Sequence, residues 1–263
     1  MRLQKIKNAT AAVGIKLLLT TASPLQSLLD TPGITHDFIN RQALSILRQD
    51  GFVRCADFLT LYLPELTAGV FWADDGWKNI HHYFNPVTRK GLWKFNTALN
   101  DYAAYLSAAN TCSLQHDWRR SIFFLGAAAH LLQDLCVPHH ASGRLFSGHK
   151  EYESWSSLHH RQYAVSHQGL YHLPIDRLMI HNAEIAADLL SWVSEHSTTT
   201  YDAASRIALP LAQRSTAGLF LRFFTALPLA KQARTPSIHS FDLISGFEPF
   251  SPYGQERSVT AAN

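Results

Sequence analysis

Residues 118–141 read WRRSIFFLGAAAHLLQDLCVPHHA, and this stretch decides the fold. Apolar residues recur three and four apart from Trp118 to Cys136, the period of a helix with a buried face. Asp117 stands where an N-cap is expected, and the Val137-Pro138 pair closes the segment. Into the apolar stripe of Phe123, Phe124, Leu125, Ala128, Leu131 and Leu132 the sequence sets His130 and Asp134, four residues apart and so one turn apart on a single face. A carboxylate in such a helix is costly unless it is paired or metal-bound. Alone, the pair fits either one metal ion or a hydrogen-bonded couple inside a core.

Outward from this helix the same residue types return. His140 follows Asp134 by six positions, and a loop over Ala141–Gly148 leads to His149 and Glu153, again four apart. A helix starting near Gly148 would present that imidazole and carboxylate side by side. With His140 they make three nitrogen or oxygen ligands and leave a fourth position open, as in a catalytic zinc site. His149 and Glu153 alone could be a surface helix pair. Two such pairs joined by His140 are hard to explain as surface decoration.

The rest of the chain is helical in pattern. Apolar periodicity marks His36–Arg48, Leu92–Ala109, Ile175–His196 and Ala203–Leu227, while strand alternation is nearly absent. The expected architecture is all-α, a single compact multi-helix domain. Asp74–Lys90, with Gly76, Asn85 and Pro86, reads as a long loop of the kind kept for function. Beyond Ala230 the composition turns to Thr, Pro, Ser and Gly, so the domain is placed at residues 23–232 and an extended tail at 233–263.

The chain has 263 residues, 46% of them hydrophobic, enough for one sizeable core. A formal charge of +3 with no basic run selects no polyanionic partner. Fifteen histidines against only 16% charged residues raise the expectation of a metal site. Cys55, Cys112 and Cys136 are too few and too scattered for a thiolate site and read as small buried hydrophobes, although in an exported protein a Cys55–Cys112 bridge is conceivable. Residues 1–22 combine a basic start, a short apolar stretch and small residues, as a secretory signal does, while Lys16 within the stretch equally allows an amphipathic first helix. Export to the periplasm or medium is the favoured reading, with a cytoplasmic protein if the segment is not cleaved. No segment is apolar enough for a transmembrane anchor in the mature protein.

The pattern His-x3-Asp-x5-His followed by His-x3-Glu, met by His130, Asp134, His140, His149 and Glu153, resembles that of the bacterial zinc-dependent phospholipases C, distant relatives of the single-strand-specific zinc nucleases. GITHDFINRQAL around His36, FWADD at Asp74, HYFNP at His82 and AQRSTAGLFLRFF near the C-terminus extend the resemblance over roughly residues 23–230. It implies a trinuclear zinc site between helices, with two ions at least. Asp74, His82, His130 and Asp134 would hold one zinc, and His140, His149 and Glu153 a second. Asp134 would bridge to a third, which would also take His36 and the mature N-terminal residue. That residue is normally tryptophan thirteen positions before the histidine; here the position is Ser23.

The implied activity is hydrolysis of a phosphodiester by a zinc-bridging hydroxide, available because a metal lowers the pKa of water from 15.7 to about 7. The expected enzyme is a phospholipase C acting on lipid at a membrane surface, as a monomer, and releasing diacylglycerol and a phosphorylated headgroup. Asp74 would orient or deprotonate the water, and Glu153 is the second candidate for a catalytic proton transfer. His-x3-Glu, rather than the nucleases' usual His-x3-Asp, favours lipid over single-stranded nucleic acid. Gln26, Asp75 and Asn79, where choline-binding members place a carboxylate and aromatic residues, make choline preference doubtful. Phe71, Trp72, Trp77, Tyr83 and Phe84 line the cleft or fill the core. His81 and His139 are expected behind the ligands or exposed, His159, His160, His167 and His172 at the surface, and Trp118 and Trp155 in the core. A non-catalytic zinc-binding helical protein is the alternative from another class; heme is disfavoured by the lack of CxxCH.

Overall fold

The structure, a computed structural model, describes residues 33–76, 78–92, 96–194 and 197–227. The expectations for residues 1–22, Ser23, Gln26, Trp77 and the tail at 233–263 lie outside them. Ten α-helices and no strand occur among the described residues: α1 (Ile34–Gln49), α2 (Val53–Leu61), α3 (Leu63–Asp74), α4 (Ala98–Leu114), α5 (Trp118–Asp134), α6 (Pro138–Ser142), α7 (His149–His159), α8 (Ile175–Ala187), α9 (Leu190–Ser194) and α10 (Thr198–Ala226). Two 3-10 turns, Lys78–His81 and His160–Tyr163, complete the regular structure.

The quoted segment forms the central helix. Asp117 caps α5 by accepting a hydrogen bond from the Arg120 amide at 3.1 Å. Every residue from Leu125 to Asp134 is buried. α3 and α4 pack along α5, α10 lies against α1, and the α6 turn abuts α8. The approach of α3 to α5 is unusually close because glycine stands on both sides of it. A Cβ at Gly69 would run into the Phe123 carbonyl, and one at Gly126 into the Leu66 carbonyl. This crossing brings the last residue of α3, Asp74, toward α5.

Several boundaries differ from the periodicity. α2 and α3 were not marked by it. The segment expected over Leu92–Ala109 begins at Ala98, and Leu92 is buried outside any helix. The segment expected over Ile175–His196 breaks after Ala187, and the turn lets Leu189 and Val193 join Tyr152, Tyr201 and Ala204 in a small cluster. Pro210 lies inside α10 without ending it. Asp74 ends a helix instead of starting a loop, and the loop after it contains the Lys78–His81 turn and a single antiparallel bridge between Asn85 and Lys90.

All three cysteines are buried and free, so the Cys55–Cys112 bridge is not formed. Each packs as a small apolar side chain. No helix of the described residues is long and apolar enough to cross a membrane.

Candidate metal centre

Three groups of side chains place ligand atoms within 4.8 Å of one another: His36, His130 and Asp134; Asp74, His82 and His130; His140, His149 and Glu153. The structure thus brings together all eight described residues expected as ligands, and Ser23 lies outside the described residues. α1 brings His36, α3 ends at Asp74, α5 carries His130 and Asp134, α6 holds His140, and α7 opens with His149 and reaches Glu153 one turn later. His82 comes from the loop after α3. Two hydrogen bonds dock that loop on α6: the Phe84 amide donates to the His140 carbonyl at 3.1 Å, and His140 Nδ1 pairs with the His82 carbonyl at 3.1 Å. The second bond requires the proton on Nδ1, which turns His140 Nε2 toward the site and Glu153.

Asp134 is the hub. Its Oδ1 stands 3.4 Å from His36 Nε2, while Oδ2 stands 2.7 Å from His82 Nδ1 and 3.2 Å from His130 Nε2. Despite these approaches Oδ2 is buried and accepts no hydrogen bond. His130 Nε2 also pairs with His82 Nδ1 at 3.3 Å, so the nitrogens and the unsatisfied oxygen crowd into one small space, as ligands of a shared cation do. Asp74 lies at the open edge, its Oδ1 4.0 Å from His130 Nε2 and its side chain 40% exposed. In the third group Glu153 Oε1 is 2.8 Å from His149 Nε2 and 3.3 Å from His140 Nε2. The donor set is imidazole and carboxylate without thiolate, which suits zinc among the common metals.

The electrostatics express the same demand for positive charge. Burial would raise the carboxyl of Asp134, but the imidazoles of His130 and His140 hold it well below its ordinary range. His130 is raised because the negative charges of Asp134 and Asp74 outweigh its burial. His36 and His82 are lowered, chiefly by burial. His140, although buried, is pushed up to about 9 by Asp134 and Glu153. Burial opposes ionisation of Glu153, yet His149 and His140 draw its carboxyl far down.

Neighbouring residues take supporting places. His139 is fully buried; its Nε2 donates to the Ser147 carbonyl at 2.9 Å and its ring stacks on His149 with centroids 4.7 Å apart. Tyr83 stacks on His140 at 4.5 Å and, like Phe84, is buried rather than cleft-lining. Trp72 packs against Tyr105, Phe123 and Phe124, whereas Phe71 is exposed. Trp118 and Trp155 pack against core clusters as expected. His81 pairs with Asp101 at 2.9 Å. His160, expected at the surface, is buried with its ring edge-on to Phe38, because the turn after α7 folds it inward. Sequence reasoning missed Gln133, whose Oε1 pairs with His36 Nδ1 at 2.8 Å, together with its partners Asn40 and Thr216. The available signal was a polar residue in an apolar helix, which must find partners once buried.

The sequence pattern of the family described as zinc dependent phospholipase C matches residues 35–206. The fold is similar to that of the alpha-toxin of Clostridium perfringens from an avian strain, with a TM-score of 0.63 and 21% identity over 73% of this chain and 63% of that one. It is also similar to the alpha toxin of Clostridium absonum, with a TM-score of 0.67 and 18% identity over 77% of this chain and 65% of that one. The chain therefore spans somewhat less than two thirds of either toxin's length. Identities this low speak for the fold alone. Among curated proteins none matches significantly in sequence.

Proposed function

The chain belongs to the zinc dependent phospholipase C family, and from that premise we propose that it hydrolyses the phosphodiester of a phospholipid, releasing diacylglycerol and a phosphorylated headgroup. The observation that carries the reading is Asp134, whose two oxygens face different imidazoles, so that one buried carboxylate is shared between adjacent ligand groups. Zinc bound there would lower the pKa of water into the neutral range and withdraw charge from a phosphoryl oxygen.

The side chains divide the remaining work by exposure. Asp134 is too buried and too strongly held in its charged form to trade protons, so its role is to gather cations. Asp74, open to solvent at the rim, can orient a water and take its proton. Glu153, its side chain 37% exposed, is the second candidate. His140, fixed by the His82 carbonyl, offers Nε2 in one orientation only. Ser23 as an additional ligand belongs to the same proposal, together with export and removal of residues 1–22. N-terminal sequencing of exported protein that begins at Met1 would remove Ser23.

The test is mass spectrometry of mixed phospholipid vesicles incubated with zinc-loaded protein beside a chelated control. Zinc-dependent diacylglycerol is the expected result, and the lipids consumed identify the headgroup. No diacylglycerol from protein shown to hold zinc overturns the lipid assignment. Cleavage of single-stranded nucleic acid by the same sample would then place the chain with the nuclease branch.

A further inference from the structure

Gln133 is only 2% exposed and sits between the fully buried Leu132 and the hub carboxylate Asp134. Its Nε2 donates to Asn40 Oδ1 at 2.8 Å and to Thr216 Oγ1 at 3.1 Å, which uses both amide protons. The Thr216 hydroxyl in turn donates to the Ala212 carbonyl at 2.7 Å, so toward Gln133 it can only accept. The amide is thereby fixed in one orientation, and Oε1 must face the other way, where His36 Nδ1 stands at 2.8 Å. A carbonyl oxygen cannot donate. His36 therefore carries its proton on Nδ1 and presents a bare Nε2, the atom 3.4 Å from Asp134 Oδ1.

We propose that Gln133 is a positioning residue, an amide clamp braced by Asn40 and Thr216 that fixes the tautomer and ring orientation of His36 so that its Nε2 can bind a metal. The inference rests on the reading of His36 as a ligand. Asn40 lies one turn after His36 on α1, and Thr216 lies on α10, so the clamp ties both helices to α5 at the point where the ligand is aimed. A neutral amide adds no negative charge to the ring, whereas a carboxylate partner makes a metal-bound imidazole more basic. Gln133→Glu thus keeps the acceptor for His36, and Asn40 can turn its unpaired Nδ2 toward the second oxygen.

The experiment counts zinc and measures its affinity by chelator competition on the full chain and its His36→Ala, Gln133→Leu, Gln133→Glu and Thr216→Val variants. Nitrogen NMR of the metal-free proteins reports the His36 tautomer. Gln133→Leu is expected to weaken one zinc position, the one lost in His36→Ala, by about 10- to 100-fold and to lose the Nδ1–H signature. Gln133→Glu should restore both, and Thr216→Val should show the same changes in smaller measure. Unchanged affinity and tautomer in Gln133→Leu, or equal impairment in Leu and Glu variants, overturns the proposal while a zinc lost in His36→Ala leaves the site reading standing. If His36→Ala loses no zinc, His36 is no ligand and both fall. Should Gln133→Leu fail to fold, Thr216→Val and Gln133→Glu decide: wild-type behaviour of Thr216→Val, or loss of the tautomer in Gln133→Glu, overturns the clamp.

Discussion

The same device, an imidazole and a carboxylate four residues apart on a helix, occurs twice, in two different settings. His130 and Asp134 close the 17-residue α5; His149 and Glu153 open the 11-residue α7. Asp134 has a side chain 6% exposed with three imidazoles around it, whereas Glu153 is 37% exposed and meets two. Asp134 also sits at the C-terminal end of its helix, where the macrodipole is negative and repels an anion. A carboxylate there persists only if cations surround it. The α7 pair lies instead beside the five-residue α6 and follows a loop, with its carboxylate partly open to solvent. The contrast predicts a tightly held hub at Asp134 and a more exchangeable arm at Glu153.

The sharpest way to break this contrast is Asp134→Asn. It is expected to lose at least one zinc by elemental analysis and, with several kcal/mol of charge stabilisation gone, about 10³-fold or more in kcat/KM. Activity retained in this variant would refute the hub. Gly126→Ala tests the packing that serves it: the added methyl meets the Leu66 carbonyl, costing about 1–3 kcal/mol in thermal unfolding. Activity should fall with it, because α3 carries Asp74.

At the arm, a chelator added to zinc-loaded protein is expected to strip metal in two phases. Glu153→Gln should speed the faster phase about tenfold or more and leave the slower one alone; a single phase would erase the distinction. Acidity sharpens it further. His140 is held protonated up to about 9 in the metal-free protein, above its ordinary 6.5. A raised pKa stabilises the fold below the ordinary value and loses that contribution as pH rises through the raised one, so the metal-free protein should weaken between pH 6.5 and about 9. Zinc must displace the same proton, so its affinity at the arm should rise by about tenfold per pH unit over that window. Calorimetry in buffers of different ionisation enthalpy counts the released proton. The smallest effect belongs to the loop, where Ser147 has a left-handed backbone at φ 71. Ser147→Gly relieves that strain and should stabilise by up to about 1 kcal/mol, read as a small rise in Tm.

Legibility followed spacing. His130, Asp134, His140, His149 and Glu153 fall within one short stretch, and helical geometry alone places each four-residue pair on one face. His36, Asp74 and His82 come from distant segments and entered only through resemblance to a family. Asp74 shows why: its approach to His130 depends on Gly69 and Gly126 letting two backbones touch, which no local pattern encodes. His160 and the break after Ala187 were misread for the same reason, since tertiary contacts drew an unremarkable histidine inward and turned a periodic stretch.

By itself the sequence determined that the chain is helical, that α5 is its buried centre, and that two imidazole–carboxylate pairs flank His140, because helix periodicity and four-residue spacing are local properties. Only the tertiary structure decided that Asp134 faces three imidazoles from three segments and that Gln133 aims one of them. Convergence of side chains depends on how helices cross, and that is set by close packing across the whole domain.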